Sequence, residues 1–133
     1  MSTHAREHIH GISAAWDGVE LELTMTVDAI SRFASVLSAA DGDAFAIDSV
    51  LNVALSLTMI VVEVANGPVK ISVADNTVTI KGDSSALKQI ANNLLGLIVL
   101  AETKGVSHMH FDHVSDQDLI SSDSASLIVS IEG

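Results

Sequence analysis

The chain has 133 residues, with six Lys or Arg against seventeen Asp or Glu, a formal charge of −11 and no Cys. That length allows one domain with a substantial core, and 48% hydrophobic residues make it globular rather than disordered. The missing thiols exclude thiol catalysis, thiolate metal sites and disulfides, and the acidic balance disfavours nucleic acid and anionic lipid as partners.

"MSTHAREHIH" carries three histidines and no apolar run, unlike a signal peptide. Next, "GVELELTMTV" alternates strictly, with Val19, Leu21, Leu23, Met25 and Val27 on one side, as in a half-buried strand. Asp17-Gly18 before it reads as a tight turn, which makes "EHIHGISAA" the partner strand of a hairpin. The period then changes to that of a helix. "DAISRFASVLSAADG" spaces Ile30, Phe33, Ala34, Leu37 and Ala40 helically, with Asp28 as N-cap and Gly42 past the end.

Between Ser49 and Gly82 the alternation of Val53, Leu55, Leu57, Met59 and Val61 is broken at Asn66-Gly67-Pro68 and at Asp75-Asn76. Three antiparallel strands fit this, although Ser49 to Ile60 also suits a buried helix. "VLNVALSLTMIVVEVANG" contains Asn52, Ser56, Thr58 and Glu63, too punctuated for a bilayer span. The expectation is a soluble, cytoplasmic protein.

"DSSALKQIANNLLGLIVLAETKG" is the clearest helix. Leu87, Ile90, Ala91, Leu94, Leu95, Ile98 and Ala101 share a face, Asp83 or Ser84 caps the start, and Gly105 stops it. Gly96 inside it suggests a close approach to the sheet. "VSHMHFD" and "SASLIVSIE" follow as strands. The order reads as ββα plus strands, given twice; a duplicated ββαββ unit and a coincidence of common α+β order both account for it. The expected architecture is a single α+β domain over residues 1–133, an antiparallel sheet with two helices packed on it.

"HMHFDH", His108 to His113, is the most conspicuous motif. H-x-H-x-D-H is a metal-binding signature of metallo-β-lactamase-type hydrolases, but their further ligands lie in long C-terminal stretches. Here twenty residues follow His113 and none is His. Strand alternation alone explains the pattern: Met109 and Phe111 turn inward, and His108, His110 and Asp112 turn outward. No G-x-S-x-G elbow or Gly-rich phosphate loop is present, so no enzyme, catalytic residue or cofactor is expected. Metal binding remains the alternative function, with His108 and His110 as ligands. His8 and His10 would join them if the first and seventh strands were neighbours.

"VTIKGDSSALKQIANNLLGL", "HMHFD" and "LISSDSASLIVSIE" together resemble a family of immunity proteins from bacterial polymorphic-toxin systems, the one numbered thirty-two. The resemblance rests on His108, His110, Phe111 (in place of Leu), Asp112, Ser124, Leu127 and Ile128, and it covers roughly residues 77 to 131. His113 stands where Pro is more typical. It implies a non-enzymatic protein that neutralises a cognate toxin by stoichiometric binding. An acidic inhibitor suits a basic toxin domain, since opposite charges steer association. Asp112, Asp116, Asp118 and Asp123, in a loop without Lys or Arg, are the expected partner-binding carboxylates. A third reading is a homo-oligomer that hides the apolar strand from Met59 to Val64 at a subunit interface.

Overall fold

The computed structural model describes residues 7–39, 43–48, 59–114 and 116–132. The elements run β1 (Glu7–Trp16), β2 (Glu20–Met25), α1 (Val27–Ala39), β3 (Asp43–Asp48), β4 (Met59–Val64), β5 (Lys70–Ala74), β6 (Thr77–Gly82), α2 (Ser84–Lys104), β7 (His108–Phe111) and β8 (Ser126–Ile131). The strands form one sheet in the order β5-β6-β4-β3-β1-β2-β8-β7, and the helices pack on each other and on the sheet. The α+β expectation stands, and the element order is ββαββ twice over.

The expected antiparallel pairing holds within the hairpins and is corrected at the joins between them. β1–β2, β3–β4, β5–β6 and β7–β8 are antiparallel, whereas β1–β3, β2–β8 and β4–β6 are parallel. The β1–β2 and β5–β6 pairs follow from the short turns that join them; β7–β8 and the parallel joins pair strands with a longer stretch of chain between them, and no turn encodes them.

Period-2 alternation places the core. In β2, Leu21, Leu23 and Met25 are fully buried while Glu22 is exposed; Ile60 and Val62, Val78 and Ile80, and Leu127 and Val129 do the same in β4, β6 and β8. Among the described residues no polar or charged side chain is buried. The first hairpin closes at Asp17, whose Oδ1 accepts from the Val19 and Glu20 amides at 2.9 and 2.7 Å. These two bonds to its anionic form hold the Asp17 carboxyl below its ordinary range.

β1 carries a bulge. Gly11 sits at φ 88°, the register to β3 shifts between His8 and Ser13, and a Cβ at Gly11 would lie 2.6 Å from Thr26 Oγ1.

The helices follow the sequence closely, with three corrections. Thr26, not Asp28, caps α1: its Oγ1 accepts from the Ala29 amide at 3.2 Å. On α2, Leu97 is fully buried and Leu95 is 44% exposed, so the core face is rotated from the expected one. A Cβ at Gly96 would meet nothing within 4 Å, so no close approach to the sheet occurs there. Asp83 caps the N-terminus, its Oδ1 accepting from Ala86 N at 2.7 Å, and left-handed Gly105 ends the helix. Of the three strands expected between Ser49 and Gly82, those on either side of Asp75-Asn76 are β5 and β6; β3 is an additional strand that the alternation does not announce, and residues 49–58, Ala40 and Gly42 lie outside the described residues. No described helix is long and apolar enough to cross a membrane.

Candidate functional site: an acidic strap and cleft

Between β7 and β8 the chain does not hang free as a loop. It bonds to β5, at the other end of the strand order; Ala125 bonds to Ile71 while its neighbour Ser126 already pairs in β8, so the sheet curls and its two ends come together at this segment, the strap. Val69 N donates to Leu119 O at 2.8 Å, Ser121 N to Val69 O at 2.8 Å and Ala125 N to Ile71 O at 2.8 Å. Ser124 Oγ accepts from Ile71 N at 2.8 Å. An edge strand would otherwise present these groups unpaired. The strap is anchored by Leu119 and Ile120, 7% and 0% exposed, an apolar pair within the acidic run.

The strap divides the four expected partner-binding carboxylates. Asp116 and Asp118 lie on one side, lining a cleft of about 350 Å³ with Leu119 and with Asp83, Ser85, Ala86 and Gln89 from the start of α2. Asp116 Oδ1 accepts from Leu119 N at 3.2 Å and its backbone amide donates to Asp112 O at 3.0 Å, which fixes the turn. Asp118 and Asp116 are both exposed. Asp83, read from the sequence only as a helix cap, is a third carboxylate at this cleft, and among the described residues no Lys or Arg lines it. Only the folded chain brings it there, because thirty-odd residues separate it from the strap.

Asp123 has a different role. Its carboxylate accepts from Ser121 Oγ and pairs with Lys70 Nζ at 3.1 Å. These two contacts, that from Ser121 first, hold its carboxyl below the ordinary range. The strap itself carries no Lys or Arg; the base that faces Asp123 is Lys70, brought in by β5. Asp112 is half-buried at the end of β7.

The histidine motif also divides. His108 and His110 are exposed, with ring centroids 5.4 Å apart, while Phe111 is 3% exposed and Met109 is partly buried. Asp112 has left the strand, and His113 Nδ1 lies 2.8 Å from Ile120 O, tying the strap to its own turn. A hydrolase site needs more ligands than this pair: His113 is turned to Ile120 O, and among the described residues no three His, Asp or Glu side chains gather at one point. The four-imidazole patch imagined across the first and seventh strands does not form, because β2 and β8 separate β1 from β7 by about 14 Å.

Residues 77–131 match the family model of Immunity protein 32. The Immunity protein 32 match takes in β6, α2, β7, the strap and β8, and with them every residue that lines the acidic cleft. It covers less than half of the chain. No curated protein and no solved structure matches.

Proposed function

We propose that the chain is a non-enzymatic immunity protein that neutralises a cognate bacterial toxin domain by binding it in the cytoplasm. The observation that carries this reading is the Immunity protein 32 match over residues 77–131. Two physical features support it. A formal charge of −11 produces a field that accelerates encounter with a cationic surface. Asp83, Asp116 and Asp118 surround an open cleft sized for one or two side chains, where a Lys or Arg of the toxin gains several carboxylates.

The test is protection. A toxin domain encoded beside this gene is expressed with and without the chain, and growth is scored alongside co-purification of the pair. The reading requires rescue together with a stable complex. Rescue without a complex, or a complex without rescue, overturns it.

A further inference from the structure

The two edges of the sheet differ in a way that the immunity reading does not use. β5 is bonded along its outer edge by the strap; among the described residues no backbone bond is made to the outer edge of β7. The register shows which groups are left over. Ile131 N donates to Ser107 O at 2.8 Å, and residues 109 and 111 share the parity of 107 in the β7–β8 ladder, so Met109 and Phe111 spend their backbone groups on β8. The N–H and C=O of His108 and His110 therefore point outward from the edge. Their imidazoles stand together on the sheet face opposite the buried Phe111.

We infer that β7 is a metal-dependent dimerisation edge, at which His108 and His110 of two chains together hold one zinc-like divalent ion. A two-fold axis through Met109 sets His108 of one chain opposite His110 of the other. In that register every outward backbone group of both β7 strands finds a partner, four hydrogen bonds in all for such a pair of ladder rungs. It also places four imidazoles on one face, because directly opposed side chains in an antiparallel pair lie about 4.5–5.5 Å apart at Cβ. The spacing within one chain already suits the ion. With metal–nitrogen bonds of about 2.0–2.1 Å, two imidazoles on a tetrahedral centre have centroids about 5.2 Å apart, against the 5.4 Å between His108 and His110.

One chain cannot complete the set. Asp112 has left the strand, and Glu22, two strand spacings or about 10 Å away at the backbone, has its carboxylate engaged by Ser130 Oγ at 2.9 Å; among the described residues no three His, Asp or Glu side chains gather closely enough to hold an ion. Strand pairing alone is also insufficient, since a four-residue edge falls well short of the roughly 800 Å² per partner of a stable interface. Two acidic chains repel as well. Association therefore depends on the ion.

The experiment is sedimentation velocity of the full chain with excess EDTA and then with zinc chloride, plus hydrogen exchange at the His108 and His110 amides. Monomer is expected in EDTA. Zinc should give a dimer with one ion per two chains and slow exchange at both amides at least tenfold, and both effects should vanish in His108→Ala and His110→Ala. These side chains are exposed, and circular dichroism of the variants should match the parent. Zinc bound one per monomer, a dimer that persists in the double variant, a dimer whose two amides stay unprotected, or no zinc binding each overturns the inference. None of these outcomes bears on toxin protection.

Discussion

The strand His108–Phe111 offers a direct test of whether its pattern comes from packing, because neighbouring residues should differ sharply in cost. Phe111 is 3% exposed within the core cluster, whereas His108 and His110 are exposed. Burying a Phe side chain is worth about 1.5–3 kcal/mol in transfer, and the cavity left by truncation brings Phe→Ala to about 3–5 kcal/mol. Exposed substitutions away from caps and networks stay within about 0.5 kcal/mol. Phe111→Ala should therefore lower the urea midpoint by on the order of 2 M at an ordinary slope of about 1–3 kcal/mol/M. His108→Ala and His110→Ala should scarcely move it. The assay is equilibrium urea unfolding followed by circular dichroism, with EDTA present so that any bound ion is excluded from the comparison. Histidine variants as damaging as Phe111→Ala would refute the packing account, because the imidazoles would then be holding the strand in place.

Other substitutions test the elements that frame the cleft. Gly82→Ala would place a Cβ 2.8 Å from Val69 Cγ2 and 3.0 Å from its Cα; the second is backbone and cannot step aside, so a loss of about 1–3 kcal/mol is expected in the same unfolding assay. Asp83→Ala removes the bond to Ala86 N and should cost about 1 kcal/mol, read as a lower melting temperature. The Asp17 and Asp123 carboxyls are held below their ordinary value of 3.8, so each favours the folded state fully above that value and loses its contribution as pH falls through its folded pKa. Asp123→Asn should accordingly flatten the acid limb of the stability profile below about pH 4; an unchanged limb would show that the Ser121 and Lys70 contacts are not kept in solution. In a toxin complex, Asp118→Asn should slow association and weaken its salt dependence, measured by stopped flow.

Much of the local structure was legible because local physics determines it. The alternation of Leu21, Leu23 and Met25, the Asp17-Gly18 turn, the Asp83 cap and the Gly105 stop each act within a few residues. β3 is hard to see in the sequence because "DAFAID" is a short run, apolar from Ala44 to Ile47, in which alanines stand where the polar residues of an alternating strand would be. The sequence presents the strap as a loop of partner-binding carboxylates, with nothing to say that it bonds to a strand. Leu119 and Ile120 were the available signal that it is anchored, since an apolar pair inside such a run needs somewhere to be buried. The parallel joins, the Lys70–Asp123 pair and the arrival of Asp83 beside Asp116 and Asp118 depend on contacts between distant segments, and no short window carries them.

The pairing scheme explains why the strap lies where it does. Exchanging the two ββαββ units sends the β1–β2 hairpin to β5–β6, β3–β4 to β7–β8, and the parallel join β2–β8 to β6–β4, all of which are present. It also sends the parallel join β1–β3 to β5–β7, which the sheet does not make. At that one broken equivalence β5 needs another partner. The connection out of β7 supplies it through Val69 and Ile71, and in doing so lays its aspartates against the start of α2. The cleft is thus a by-product of an unclosed sheet. It follows that the strap's backbone bonds, more than its charges, set the relative positions of the three carboxylates. Replacing Leu119 or Ile120 should disperse the acidic site even with every aspartate retained.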